Sequence, residues 1–276
     1  GGSPVGKTYE RWNMHHRMQH LLLFSSFFVL AFTGLPIKYA AKAWAVHMAS
    51  CFGGFAIMLY IHKTAAAVMI VAAVYHLFYL AYCKIVRKES STAMIPTLKD
   101  VTDLLDHIVF CLGMTKKDAR FDRYSYKEKF DYWAVFWGIA IMVGSGLILW
   151  FPHISAQYLS RTFIDCAQVA HSDEAMLAIM AVFIWHFYNA HFSPMVFPMS
   201  KVWLDGRFTQ DEMEEFHPLE LENNTAPVAE HGQGEAVLVR ETSRFRRSQV
   251  LIVVQMILYG AVLIWFLWGF LPLGLK

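Results

Sequence analysis

The sequence predicts an all-α integral membrane protein, built as a helical bundle of five transmembrane helices with a four-helix core. Three observations support this fold class: the composition, five long apolar stretches, and an uneven distribution of Lys and Arg along the chain. Apolar residues make up 56% of the 276 residues and charged residues only 17%, whereas a soluble domain carries about 25% charged residues. The mean hydropathy of +0.36 agrees with a chain that lies largely in lipid.

The apolar stretches define the five predicted spans. A helix needs about 20 mostly apolar residues to cross the hydrocarbon core of a bilayer. Five stretches approach or exceed this length: 21–37, 51–83, 132–152, 174–193 and 250–272. We expect the helix of the first stretch to begin earlier, in the polar segment that precedes it. We therefore expect a membrane domain over 1–205, an acidic and linker-like cytoplasmic segment over 206–249, and a fifth transmembrane helix over 250–276.

The basic residues predict the orientation of these spans, because cytoplasmic connections carry the excess of Lys and Arg. The connections 1–19, 84–130 and 194–247 hold three, ten and six of them, whereas the connections on the other side hold two and one and the carboxyl-terminal tail holds one. This bias places the amino terminus in the cytoplasm and the carboxyl terminus in the periplasm of a multi-pass protein of the cytoplasmic (inner) membrane.

Several classes of function are excluded by what the sequence lacks. The net charge of +2 gives no basic field for a nucleic acid. The four Cys residues form no CxxC or CxxCH, which excludes a zinc ribbon and a covalently attached c-type haem. There is no Walker loop, HExxH or nucleophile elbow. The connections are also too short to form an independent catalytic domain.

Histidines within the spans are the strongest functional signal, since ionisable side chains in a membrane are costly and mark function by default. The second span carries His62 and His76, which are 14 residues apart, or roughly 21 Å and about 40° short of a whole number of turns. The fourth carries His171 and His186, which are 15 residues apart, or roughly 22 Å and about 60° past a whole number of turns. Each helix therefore presents two imidazoles on nearly one face.

Because these helices run antiparallel, His62 and His171 are expected toward the outside and His76 and His186 toward the inside. Two bis-imidazole sites, one above the other, would hold two b-type haems between facing helices of the bundle. His20, at the inner end of the first span, is an alternative partner for His186. The residues alone do not decide between His20 and His76.

Two more residues fit such a cavity. His191 lies five residues after His186, roughly 140° around an α-helix, so we interpret it as an interfacial residue, although a third haem between His20 and His191 would also be compatible with the spacing. Lys63, next to His62, could pair with a haem propionate or extend toward the outer surface.

The segment RWNMHHRMQHLLLFSSFFVLAFTGLP resembles the first span of the gamma-type cytochrome b subunits of formate dehydrogenases, and of the related subunits of thiosulfate reductases and nickel–iron hydrogenases. That span carries a His about thirteen residues before a Ser/Thr-Gly pair, matched here by His20 and Thr33-Gly34. The segments IHKTAAAVMIVAAVYHLFYL, EKFDYWAVFWGIAIMVGSGLILWF and HSDEAMLAIMAVFIWHFYNAHFSPMVFPM are similar to later spans of the same superfamily. The resemblance covers roughly residues 9–205.

This resemblance implies a subunit that binds two b haems and passes electrons between a redox partner and membrane menaquinone or ubiquinone. The partner would be an iron–sulfur or multihaem c-type subunit. It also implies that His62 and His171 hold the outer haem and that His20 and His186 hold the inner one. His76 and His191 depart from that pattern. With His76 as the inner ligand, the spacing of two His residues on each of two helices resembles instead the cytochrome b of quinol–cytochrome c reductases.

Two alternatives belong to other classes. One is a stand-alone transmembrane reductase of the cytochrome b561 kind, an enzyme that works without partner subunits. The other is a transporter or membrane anchor that binds no haem and whose histidines relay protons. The inverted repeats and broken helices typical of a transporter are not evident in the sequence.

Overall fold

The computed structural model describes residues 7–88, 91–193 and 196–223 and is mostly helical. Within these residues, four helices are long and apolar enough to cross a membrane. They are α1 (Met14–Lys38), α3 (Phe55–Ile85), α5 (Tyr126–Trp150) and α7 (Arg161–Met180), which continues to Phe192. The helical membrane architecture is therefore confirmed for four spans. The predicted fifth span, 250–272, lies outside the described residues.

Two of these helices begin earlier than the hydropathy pattern predicts. Helix α5 begins at Tyr126 rather than 132, because Ser125 and Glu128 form a capping box at its start. Helix α7 begins at Arg161 rather than 174, with the hydroxyl of Ser160 accepting a hydrogen bond from the Phe163 N–H at 3.2 Å. Hydropathy finds the part of a helix that lies in lipid, whereas caps and backbone hydrogen bonds decide where the helix begins.

The long helices pack as two antiparallel hairpins, α1 with α3 and α5 with α7. Short helices connect the members of each hairpin: α2 (Ala43–Cys51) in the first and α6 (Pro152–Tyr158) in the second. Large apolar side chains point outward from the bundle, including Tyr60, Phe78 and Trp137, which are 73%, 71% and 67% exposed. Such a surface suits lipid as the surrounding medium.

A small folded cap, which the sequence analysis did not predict, covers one end of the bundle. Strand β1 (Thr8–Glu10) pairs antiparallel with β2 (Arg207–Thr209), so the lead before α1 meets the segment after α7. Helices α8 (Val202–Asp205), α9 (Gln210–Phe216) and α10 (Pro218–Glu222) complete the cap. The expected linker segment 206–249 therefore begins as ordered structure up to residue 223.

Buried charges hold this cap together. Glu220 accepts hydrogen bonds from both Arg11 and Arg123, and the Arg123 contact measures 2.6 Å. Arg11 and Glu220 are almost fully buried, as is His217, whose Nε2 lies 3.1 Å from an Arg11 guanidinium nitrogen. The cap thus joins three stretches that are far apart in sequence through a single ionic core.

The connection between α3 and α5 contains a 3₁₀ turn (Ser91–Met94) and the amphipathic helix α4 (Leu98–Cys111). Thr97 is the N-cap residue of this helix and forms a capping box with Asp100. Lys129, in the first turn of α5, binds Asp100 at 2.9 Å. This ion pair fixes α4 against the beginning of α5.

Candidate functional site

His62 on α3 and His171 on α7 come together between the two helical hairpins. Their ring centres are 6.5 Å apart, with ring planes inclined at 72°. We call these two residues the far pair, because they lie at the end of the bundle away from the cap. They are the two histidines that the sequence analysis assigned to one haem.

A hydroxyl group on the neighbouring helix orients each ring of the far pair. Thr33 Oγ1 lies 2.8 Å from His62 Nδ1, and Ser145 Oγ lies 3.1 Å from His171 Nδ1. Each hydroxyl donates its single proton to a carbonyl four residues back, that of Val29 or Ile141. A hydroxyl that donates to this carbonyl accepts from the imidazole, in which case Nδ1 carries the proton and the lone pair is left on Nε2.

A glycine next to each hydroxyl leaves room for the ring. A Cβ at Gly34 would lie 3.2 Å from His62 Cε1, and one at Gly146 would lie 3.1 Å from His171 Cε1. Both distances are shorter than ordinary van der Waals contacts, so a larger residue would displace the imidazole. Gly144 lies two residues before Gly146, on another face of α5, and a Cβ there would have no atom within 4 Å.

His20 on α1 and His186 on α7 form the second pair, with ring centres 6.4 Å apart and planes inclined at 46°. We call it the cap-side pair. His186 Nδ1 lies 3.1 Å from Asp131 Oδ2 on α5, so the carboxylate can accept the Nδ1 proton and leave Nε2 with its lone pair. The buried Nδ1 of His20 has no hydrogen-bond partner among the described residues.

Aromatic side chains surround His20. Trp12 lies edge-on to the imidazole with ring centres 5.2 Å apart, Phe24 lies at 5.7 Å and Trp203 at 6.1 Å. Trp12 precedes α1 and Trp203 belongs to α8 of the cap, so this pair is enclosed partly by the cap rather than by membrane helices alone.

The end of α7 widens into π-helical turns over Ala181–His186 and Tyr188–Phe192. The expectation that His191 faces away from His186 assumed α-helical rotation and is wrong for this geometry. With hydrogen bonds from i to i+5, a turn holds roughly 4.4 residues, so five residues make little more than one turn. His191 lies close enough to interact electrostatically with both His186 and His20.

His76 is not brought to either pair by the described contacts. Its Nδ1 lies 2.8 Å from the side-chain oxygen of Gln19 and its Nε2 lies 3.0 Å from the Tyr132 hydroxyl. Both ring nitrogens are thus engaged, as expected for a histidine that packs and hydrogen-bonds inside a bundle. Of the two candidates left open by the sequence, it is His20 that meets His186.

Lys63 lies with its ammonium 5.7 Å from the centre of the Trp150 ring, a cation–π arrangement. At the same end of the bundle, Lys38 binds Asp173 at 2.9 Å and the backbone carbonyl of Ser172 at 3.2 Å. That contact joins the end of α1 to α7 two residues after His171. The role of Lys63 toward a propionate stays a prediction.

Both histidine pairs fit a haem iron that would be held between the two imidazoles. With an iron–nitrogen bond of roughly 2.0 Å, as for imidazole on other divalent first-row metals, and roughly 1.15 Å from nitrogen to ring centre, the two ligating rings would lie about 6.3 Å apart. The observed separations are 6.5 and 6.4 Å. In the described part of the chain no three His, Cys, Asp or Glu side chains form a group that could hold a metal ion. A porphyrin, however, supplies four nitrogens itself and needs only two from the protein.

The sequence analysis missed the residues that orient the imidazoles. A signal for two of them was present, because Thr33-Gly34 in the first span and Ser145-Gly146 in the third are the same hydroxyl–glycine pair. The first pair belongs to the motif that carries the family resemblance, whereas the second has no counterpart in that motif. Asp131 was overlooked because it lies one residue before the predicted start of the third span.

Comparison with known proteins adds no assignment, since neither a known family nor a curated protein matches this sequence.

Proposed function

We propose that this protein is a membrane-integral di-haem cytochrome b that relays electrons between a redox partner subunit and the quinone pool. The observation that carries the proposal is that two histidine pairs form, His62 with His171 and His20 with His186. The two rings of each pair lie at the separation of a bis-imidazole site. The His pairs lie at two levels, since His171 and His186 are 15 residues apart on one continuous helix, or roughly 20 Å along its axis. Such a stack suits electron transfer across a bilayer.

The orientation of the rings supports the same proposal. Thr33, Ser145 and Asp131 accept the Nδ1 protons of three of the four imidazoles. A metal-ligating histidine typically donates its second N–H to such a partner, which fixes its tautomer and raises its basicity. A proton-relaying histidine would instead need both nitrogens within reach of exchanging groups.

In this proposal the protein holds each haem and separates it from water, while each bound haem would supply the one-electron chemistry. The far pair is enclosed by helices whose polar groups are already satisfied, such as Thr33, which is 1% exposed. The cap-side pair lies beside His191, a protonatable group near the membrane end where a quinone could exchange a proton. The proposed function also includes reaction with quinone and docking of a redox partner subunit.

A haem count with matched histidine variants tests the proposal. We expect about two haems per chain by pyridine haemochrome, and a b-type α band in reduced-minus-oxidised spectra. His62→Ala should remove one spectral component and His20→Ala the other. His76→Ala is the matched control, since His76 is on the same helix as His62 but bonds Gln19 and Tyr132, and it should keep both components.

The alternatives predict other outcomes. A haem-free transporter or anchor shows no α band, which would refute the proposal. A stand-alone reductase of the cytochrome b561 kind binds haem and reduces a soluble acceptor such as ferric chelate from ascorbate without other subunits. Electron relay to quinone predicts instead that a quinol reduces both haems of the protein in lipid nanodiscs. If the quinol reduces neither haem, that part of the proposal is wrong.

A further inference from the structure

Helix α4 turns its polar face toward the protein and its apolar face outward, the reverse of a surface helix on a soluble protein. The face turned toward the rest of the molecule is polar and consists of Asp100, Asp103 and His107. Its large apolar side chains are all exposed: Leu98, Val101, Leu104, Leu105, Ile108, Val109 and Phe110. A surface helix of a soluble domain buries its apolar stripe against the core, so this helix requires another apolar environment.

The inward polar face is fully occupied by ionic contacts. Asp100 binds Lys129 of α5 at 2.9 Å, and Asp103 binds Lys99 at 2.7 Å. His107 Nδ1 lies 2.7 Å from Asp118, and Lys127 donates to its Nε2 at 3.1 Å. The Asp103–Lys99 pair lies within α4, but the contacts of Asp100 and His107 with residues outside the helix fix its rotation about its axis. The apolar face cannot turn inward without breaking those contacts.

Three sectors appear when the residues of α4 are placed at about 100° per residue around the helix. One sector of roughly 80° holds the inward polar residues, and another of roughly 140° holds only apolar residues. The remaining sector contains Lys99, Thr102, Asp106 and Phe110. A helix with a protein side, a water side and a lipid side is the arrangement expected where a bilayer surface meets the body of a protein.

The apolar face is continuous with the surface of a membrane helix. Trp133 on α5 donates a hydrogen bond from Nε1 to the carbonyl of Met94 at 2.9 Å, which places the turn before α4 beside the second turn of α5. On this part of α5, Phe130 and Trp133 are 57% and 40% exposed. Tryptophan is enriched at the boundary between lipid and water. The start of α4 is therefore level with that boundary.

Basic residues flank the helix on both sides in sequence. Three of them lie at the end of α3 or directly after it: Lys84, Arg87 and Lys88. Two more, Lys116 and Lys117, follow α4, and all five are exposed. Such residues next to a bilayer are attracted to anionic headgroups, by about 1 kcal/mol each near the surface.

We propose that α4 is an in-plane membrane helix, which lies on the bilayer surface at the capped end and buries its apolar sector among the lipids. It would anchor the connection between the second and third spans and fix the depth of α5. This proposal does not depend on haem, so its failure would leave the proposed function untouched.

Photolabelling of the full chain in nanodiscs tests the proposal without any mutation. A carbene precursor dissolved in the lipid should insert into α4 at Val101, Leu105 and Ile108, and into Leu112 directly after it, at levels comparable to the outward residues of α3. Helix α9, which is acidic and belongs to the cap, is the internal control. Its labelling should be at least about five-fold lower than that of α4, as expected for a helix outside the lipid. Labelling of α3 without labelling of α4 would overturn the proposal, and would indicate a protein partner on this face.

A pair of neighbouring labels gives an independent readout. In a background of Cys51→Ser, Cys83→Ala, Cys111→Ser and Cys166→Ser, an environment-sensitive fluorophore is attached to Leu105→Cys or to Asp106→Cys. These positions are adjacent and both exposed, but they lie in the lipid and water sectors respectively. We expect blue-shifted emission, quenched by lipid-bound nitroxides, at 105 alone. Equal, water-like emission at both positions would refute the proposal.

Discussion

The two histidine pairs share nearly the same ring separation but are held in different ways. At the far pair, both rings have a hydroxyl partner and a neighbouring glycine, contributed by α1 on one side and α5 on the other. At the cap-side pair, His186 meets a carboxylate, while the Nδ1 of His20 has no partner among the described residues. The comparison shows that helix packing sets the spacing of the rings, whereas local contacts set their orientation and basicity.

The two pairs also depend on different parts of the molecule. The far pair is built entirely from the four membrane helices. The cap-side pair touches Trp12 and Trp203, which the cap positions outside the long helices. We therefore expect changes in the cap to affect the cap-side pair and to leave the far pair unchanged.

The largest expected effect comes from filling the space that a glycine leaves beside the far pair. Gly146→Val would place carbon atoms against His171, where even a Cβ lies 3.1 Å from the ring. Because the ring is also fixed by Ser145, it cannot withdraw, and we expect the far-pair spectral component to be lost. Absorbance spectra of the purified variant measure this.

The matched control is Gly144→Val on the same helix. It introduces the same β-branched residue, but a Cβ there has no atom within 4 Å and the position is exposed. Both components should be retained. Equal loss in the two variants would mean that helix propensity, and not the imidazole, is responsible.

A slightly smaller effect is expected when the ionic core of the cap is broken. Glu220→Ala leaves Arg11 buried without its carboxylate and removes a partner of Arg123, a change that typically costs about 3–5 kcal/mol. We expect faster amide exchange in β1 and β2 and an altered cap-side component. The far pair should be unaffected. Glu222→Ala is the control, since Glu222 pairs with Arg120 where both side chains are more than half exposed, and such pairs contribute little.

The contrast between carboxylate and hydroxyl partners predicts an effect of intermediate size. Asp131→Asn should weaken haem retention at the cap-side pair by about 10–100-fold, the range typical of partners behind a ligating histidine. Thr33→Val should weaken the far pair less, because hydrogen bonds to charged groups are roughly twice as strong as neutral ones. Haem transfer to apomyoglobin measures both. If Asp131→Asn altered the far component, the assignment of the carboxylate to His186 would be wrong.

The sequence was sufficient to predict the four described membrane helices and the meeting of His62 with His171, because these follow from hydropathy and helical spacing. It could not decide between His20 and His76, since that choice depends on how α1 packs against α3 and α7. The predicted direction of His191 relative to His186 was wrong because helical spacing assumes α-helical turns, and π-helical turns cannot be read from the sequence. The cap was missed because β1 and β2 are three residues each and lie almost 200 residues apart. Its ionic core becomes visible only when the chain is folded.

The smallest expected effect concerns pH and again separates the two ends of the bundle. Burial, with the Arg11 guanidinium against the ring, lowers the pKa of His217 below its usual 6.5, although Glu128 and Glu220 oppose the shift. The folded cap therefore holds His217 neutral, while the unfolded segment takes up a proton as the pH falls through 6.5. The stability contributed by neutral His217 is complete above that pH and is lost below it, by at most about 1.4 kcal/mol per pH unit.

Amide exchange of β1, β2 and α9 between pH 7.5 and 5.5, corrected for intrinsic exchange rates, measures this loss. Protection of the cap should fall with pH, while protection of α1 around Thr33 should not, because the far pair has no contact with His217. His217→Gln removes the titrating group and should flatten the pH dependence of the cap even if it lowers the protection at every pH. An unchanged slope in that variant would assign the pH response to another group, and the neutral state of His217 would then have no part in holding the cap on the bundle.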